Sequence, residues 1–359
     1  MTGTTRHPVI SCDSHVHVQP QDLRARLTPD AARAYDDALA AAAAERRYLL
    51  AGVDVSGLRM EHRAADRSGA WEPKARLADM DADGIDTEIL FPEVSDFVDF
   101  HTLGSFEHQA RDAYNACLRD FTATAPDRLI AAWQVGIHDV GHAVSDVRRL
   151  AAAGARLVQI PLHPREIGAP DYWDPRYEPL WTALEETRLP LAQHTATKAS
   201  TLAAFRRDPT PQFGLTLAQV PFTLSENLAG WILGGVLERH PGLRIVVCEP
   251  LVGWLPSFLD LLDDMCGQGY TFPALREAPS AYFRRQVYVT FINEPRAVAV
   301  RHEIGLDHLL WSSDYPHPAS TWPDSPHVLR SQMVTVPRAE QEALFGGNSA
   351  RLFNLGRQP

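Results

Sequence analysis

At 359 residues, 45% hydrophobic and 22% charged, the chain has enough apolar content for one large core or two ordinary ones. Its 22 glycines and 27 prolines are spread without a repeat, which excludes collagen-like and low-complexity classes. Lys and Arg number 34 against 45 Asp and Glu, a net charge of −11 with no basic run, and this speaks against nucleic acid as a partner.

Met1–Ile10 carries no apolar stretch of signal-peptide length, and no later stretch approaches the roughly 18 apolar residues of a membrane span. A cytoplasmic protein without membrane contact is expected. The first short apolar run, Val9–Asp13, has the character of a buried parallel strand. The second begins only at Thr87, so something is inserted between them. Within that insertion Asp30–Leu50, with Ala31–Ala32 and Ala38–Ala44, has strong helix propensity. An insertion over residues 20–75, placed directly after a strand's carboxyl end, reads either as a cap over a site or as a peripheral helix or dimer contact. Further runs follow at Thr87–Phe91, Ile130–Val135, Arg156–Pro161, Pro190–His194, Arg244–Glu249, Val287–Phe291 and His308–Asp314. Helical spacing is found at Phe106–Ala125, Gly141–Ala153, Pro175–Thr187, Thr223–Arg239, Gly253–Met265, Glu294–Ile304 and Arg338–Leu344. Strand–helix alternation over eight runs predicts a single α/β domain over residues 1–359, a (β/α)8 barrel of the TIM type. The competing doubly wound sheet lacks its Gly-x-Gly-x-x-Gly turn after any run. Cys12, Cys117, Cys248 and Cys266 form no Cys-x-x-Cys pair and are read as reduced, buried thiols.

Ligand-capable residues collect at the carboxyl ends of these runs. In Asp13-Ser14-His15-Val16-His17, alternation puts Asp13, His15 and His17 on one side of an extended backbone, so two imidazoles converge. His194 ends the fifth run and Asp314 the eighth. In a barrel all strand ends face one mouth. Three His and one Asp there suit a divalent ion with coordination left open for water or substrate.

These motifs, with the helix-entry phrase Leu77–Asp86 and the closing Gly347–Phe353, resemble the amidohydrolase-related family that includes aminocarboxymuconate-semialdehyde decarboxylase, over residues 9 to 355. The resemblance implies a metal-dependent barrel that hydrolyses C–N or ester bonds, or removes CO2 without oxidation. It implies metal ligation by His15, His17, His194 and Asp314. Asp314 would also take a proton from metal-bound water, and Asp13 would stand behind the ligands or anchor the strand.

One position departs from the decarboxylase pattern. Where that pattern has a His serving acid–base chemistry, this chain has Glu249, in Val247-Cys248-Glu249-Pro250. A carboxylate differs from an imidazole in both charge and proton inventory, so that role does not carry over. The chain resembles a branch of the family with Glu at this point, a Gly253-Trp254 phrase after it, and Ser320–Ser325 beyond the last run. Glu249 is then a metal ligand, a general base or the partner of a cation. The fourth run offers Gln159 and His163 but no Lys for a carboxylated bridge between two metals. Glu93 is a carboxylate near the mouth, and His163, His317, Trp254 and Lys198 are candidates for substrate contact.

The sequence therefore reads as a hydrolase or non-oxidative decarboxylase that uses zinc or manganese on a small cyclic or aromatic acid, amide or ester, as a homodimer. The alternative is a dinuclear non-haem iron monooxygenase on the same barrel, since His and carboxylate ligands in near-equal number also suit one or two iron ions.

Overall fold

A computed structural model of the chain describes residues 7–49, 67–92, 100–195, 218–270, 275–317 and 319–356. The strands, all paired in parallel, are β1 (Ile10–Val16), β2 (Thr87–Pro92), β3 (Leu129–Ala131), β4 (Trp133–Gln134), β5 (Val158–Gln159), β6 (Leu191–His194), β7 (Ile245–Cys248), β8 (Val287–Phe291) and β9 (Leu309–Trp311). They run in chain order as β1-β2-β3 and β4-β5-β6-β7-β8-β9. The predicted run Ile130–Val135 is one strand broken at Ala132. The Ala132 N–H reaches back to Leu90 of β2, while the Val135 N–H reaches forward to Gln159 of β5, each at 2.9 Å. After β9 the chain returns to β1: the His15 N–H donates to the Tyr315 carbonyl at 2.6 Å, and the Asp314 N–H donates to the Asp13 carbonyl at 3.0 Å.

Alternation along the strands separates two apolar clusters, as a TIM-type α/β fold requires. Ile10, Cys12, Ile89, Phe91, Ile130, Ala132, Leu157, Ala192, Val246, Cys248 and Leu310 pack with one another in the interior, closed off by Leu352 and Phe353 from the carboxyl-terminal helix. The intervening residues, among them Leu90, Val158, Leu191, Val247, Val289 and Trp311, pack outward against the helices.

The phrase Leu77–Asp86 has a structural task. Helix Pro73–Asp83 is stopped by Gly84 in the left-handed region (φ 72°), and the Asp86 carboxylate then accepts the Val9 N–H at 2.8 Å, tying β2 to β1. The helix predicted at Asp30–Leu50 is found at Pro29–Leu49, with Ala31 and Tyr35 buried in the main core beside the segment Phe100–Phe106. Two helices are longer in the sequence reading than in the fold. Thr223–Arg239 is interrupted at Gly235 (φ 71°) and Glu294–Ile304 at Val300. Helices Pro279–Gln286 and Ser325–Ser331 are not among those the helical spacing predicts. Among the described residues no helix is long and apolar enough to cross a membrane.

Candidate metal centre

The ends of β1, β6 and β9 meet at one buried point. Asp13 and His15 are fully buried, His194 is 6% exposed and Asp314 1%. Ligand atoms of Asp13, His15 and His194 all lie within 4.8 Å of one another, and so do those of His15, Asp314 and His317. Asp13 Oδ1 is 3.6 Å from His15 Nε2 and 3.4 Å from His194 Nε2, and His15 Nε2 is 3.3 Å from Asp314 Oδ1. Glu249 stands at the edge, 3.8 Å from His194 Nε2.

These atoms are close without being bonded. Both Asp13 carboxylate oxygens, His15 Nε2, His194 Nε2 and Asp314 Oδ1 are buried without a hydrogen-bond partner among the described residues. Orphaned buried polar atoms are expensive, and several converging on one point is what a cation site looks like before its ion is considered. The imidazoles are oriented for it. His15 Nδ1 lies 2.9 Å from the Pro92 carbonyl and His194 Nδ1 2.9 Å from the Thr195 carbonyl. A carbonyl only accepts, so Nδ1 carries the proton and the neutral ring turns an Nε2 lone pair to the centre. The residues present fit a divalent ion bound by nitrogen and oxygen.

The electrostatics agree. Burial works against a charged His194, but the Asp13 and Glu249 carboxylates outweigh it and bring its pKa up to about 10. Burial, then the Asp314 charge, push Glu249 up to about 8 against the pull of His194. Burial also opposes ionisation of Asp314, yet His317 and His15 hold it down at about 2. The field at this point favours positive charge.

Backbone strain is concentrated here. Glu249 (φ 57°), Leu251 (φ 52°) and Asp314 (φ 55°) are left-handed without being glycine, at about 1 to 2 kcal/mol each. The first is steadied by Thr290, whose Oγ1 accepts the Glu249 N–H at 2.9 Å, and the loop beyond it by Glu294, whose carboxylate accepts the N–H groups of Val252 and Gly253 at 3.0 and 2.8 Å. Arg76, fully buried, donates to the His15 and Gly69 carbonyls, pairs with Glu88 at 2.8 Å and lies 4.4 Å above the Tyr315 ring.

The structure brings together six of the residues singled out from sequence, Asp13, His15, His194, Asp314 and Glu249 and, beside them, His317, expected there to contact substrate. His317 Nδ1 is 2.7 Å from Asp314 Oδ1, and its ring stacks on His15 at 3.8 Å. His17 falls outside both of these ligand groups among the described residues. Strand β1 ends at Val16, and the His17 N–H turns away to the Ala70 carbonyl, its ring edge-on to Trp71. Asp13, which the resemblance put behind the ligands, has its carboxylate within 3.6 Å of both the His15 and the His194 Nε2. His163 lines a separate cavity of about 120 Å³ with Trp173 and Glu226. Trp254 donates to the Pro250 carbonyl at 2.6 Å and packs on Phe258 and Phe222. Glu93 and Lys198 lie outside the described residues. Next to His317 is a cavity of about 340 Å³ lined by Arg67, Tyr315, Pro316, Ser320, Trp322 and Pro323. Arg67, which the sequence reading did not single out, is stacked 3.6 Å over Trp322 and paired with Asp79 at 2.5 Å.

The amidohydrolase family model matches residues 12–355. No curated protein matches the sequence. Among solved structures the chain is similar to the 5-carboxyvanillate decarboxylase of Sphingomonas paucimobilis, at 23% identity over 98% of this chain and 100% of that one, with a TM-score of 0.74. It is similar to the 5-carboxyvanillate decarboxylase of Novosphingobium aromaticivorans, in complex with manganese and 4-hydroxy-3-methoxy-5-nitrobenzoic acid, at 20% identity, 99% and 98% coverage and a TM-score of 0.75. A dihydroxybenzoic acid decarboxylase of Polaromonas, with manganese and the inhibitor 2-nitroresorcinol, is similar at 17% identity, 98% coverage of both chains and a TM-score of 0.70. At such identities the likeness is one of fold.

Proposed function

The chain belongs to the amidohydrolase family, and from that premise we propose that it is a metal-dependent, non-oxidative decarboxylase of a small aromatic acid. The observation that carries the reading is the set of buried, mutually unbonded ligand atoms on Asp13, His15, His194 and Asp314. Those four residues would hold one divalent ion, with Glu249 as a further carboxylate at its edge. Manganese in the similar decarboxylases supports that ion ahead of zinc or iron. When bound, the ion supplies positive charge that holds a substrate oxygen and steadies the electron pair left as CO2 departs.

The chain's own groups account for the rest. Loss of CO2 from a ring carboxylate leaves a carbon that must gain one proton, so that carboxylate plus proton gives the ring with hydrogen in place of its carboxylate, plus CO2, with no oxidant. The Asp314–His317 ion pair, with Nδ1 2.7 Å from Oδ1 and open to the cavity through His317, would hold that proton. Trp322 and His317 bound a space of ring size, and the Arg67 cation is placed to meet an acidic group there. Hydrolysis of an ester or amide would use the same ligands, so product analysis separates the two. The reading carries with it a cytoplasmic homodimer, which light scattering at micromolar concentration tests.

The decisive experiment supplies the manganese-loaded protein with a panel of hydroxylated benzoates and measures CO2, residual acid and oxygen. We expect one CO2 per acid consumed, no oxygen uptake, loss of turnover on chelation and recovery with manganese. Turnover confined to esters or amides would overturn the reaction class. Oxygen uptake with two irons per chain would establish the dinuclear alternative instead.

A further inference from the structure

Two glutamines of the barrel wall have no part in this scheme. Gln134 ends β4, Gln159 ends β5, and the two are register partners. Their neighbours set their direction. Ala132 and Leu157, two positions earlier, belong to the interior cluster, whereas Trp133 and Val158 pack in the outer one. Gln159 is also paired with Ala192 of β6, an interior residue two positions before His194. Both amides therefore point into the barrel at its mouth, beside the strand that carries His194.

Interior positions of such barrels are dominated by Val, Ile and Leu, and an amide there is costly unless bonded. Gln134 is only 8% exposed. Its Nε2 uses both hydrogens, on the Ala132 carbonyl at 2.9 Å and on Gln159 Oε1 at 2.8 Å. A carbonyl can only accept, so this arrangement settles which way both amides face. Gln134 Oε1 and Gln159 Nε2 are left with no partner among the described residues. One uncharged acceptor and one uncharged donor stand side by side on the interior of β4 and β5, the latter paired with the strand that ends in His194.

We propose that Gln134 and Gln159 form a neutral subsite for a hydroxyl group on the substrate ring, the hydroxyl donating to Gln134 Oε1 and accepting from Gln159 Nε2. A hydroxyl donates and accepts through a single atom, which matches the pair. A carboxylate would call for a cation, and a methyl group would leave both amides unpaired in a desolvated site. The inference rests on reading the site as one for aromatic acids, and it assigns the residues that would meet a hydroxyl on the ring.

Isothermal titration of the manganese-loaded protein with benzoate and with 2-, 3- and 4-hydroxybenzoate tests it, in wild type, Gln159→Met and Gln134→Leu. At least one hydroxybenzoate should bind wild type about tenfold tighter than benzoate, and each variant should shrink that advantage to about threefold or less. Manganese content should not change. A hydroxyl preference that survives in Gln159→Met overturns the subsite, as does a wild type that shows no preference. Should the preference fall in the variants while no CO2 is released by any form, the decarboxylase reading fails and the subsite stands. Should CO2 be released with the preference unmoved, the subsite alone fails.

Discussion

Exchanging Asp13 for Asn asks which side chains hold the ion. The substitution keeps the size of a fully buried residue and removes one negative charge at a point 3.4 Å from His194 Nε2 and 3.6 Å from His15 Nε2. Two unit charges about 4 Å apart interact by about 4 kcal/mol at an effective dielectric constant of about 20. Taking that as the loss for the bound ion gives a weakening of about a thousandfold, at 1.4 kcal/mol per factor of ten. A residue that merely supports a ligand costs about 10- to 100-fold. We therefore expect Asp13→Asn to weaken manganese about a thousandfold and His17→Gln to change it by no more than about threefold. Electron paramagnetic resonance of free manganese gives both constants, with circular dichroism to establish that each variant is folded. Binding by Asp13→Asn within tenfold of wild type would remove Asp13 from the ligand set. A loss of more than a hundredfold in His17→Gln would restore the simple alternation along Asp13–His17.

Asp314→Asn should lose both metal and turnover while remaining folded, and full metal occupancy by mass spectrometry would contradict its placement in the site. Glu249→Gln should keep one metal per chain and lose CO2 release about a hundredfold; loss of a second metal would instead show that it bridges two ions, and no change in either quantity would remove it from the functional set. Arg76→Met leaves Glu88, 2% exposed, as an unpaired buried charge and takes a donor from the His15 carbonyl, so guanidinium denaturation should show a loss of about 3 to 5 kcal/mol. A loss below about 1 kcal/mol would mean that the pair relaxes into water. Manganese affinity should rise with pH between 6 and 9. His194, at about 10 in the ion-free site, is protonated throughout that window and must release its proton to bind, giving up to about tenfold per pH unit for each proton lost. A flat profile would show that the imidazole does not titrate on binding.

The fold was legible because its information is local. Short apolar runs with polar carboxyl ends, such as Arg244–Glu249, mark strands buried on both faces, and their alternation with helical spacing leaves few architectures. His15, His194 and Asp314 were legible for the same reason, since a barrel gathers every strand end at one mouth wherever the residues fall in the chain. Other features depended on backbone detail that periodicity does not contain. The pairing of β1 with β2 shifts register between Ser11 and Ser14, and the strand stops at Val16. An alternation argument that assumes an unbroken pleat keeps Asp13, His15 and His17 on one side and does not distinguish which of them reach the centre. Glu249 and Asp314 reach the centre through left-handed turns that no propensity for Glu or Asp announces. Gln134 and Gln159 are ordinary polar residues 25 positions apart in sequence, and they become a donor–acceptor pair only when β4 and β5 are set side by side. Sequence by itself determined which residue types could do chemistry and which face of each strand is buried, because those follow from side-chain composition and a period of two. Which of them share one point was decided by register, strand ends and turns, because moving a strand by a single residue exchanges the side chains that face the centre for those that face away.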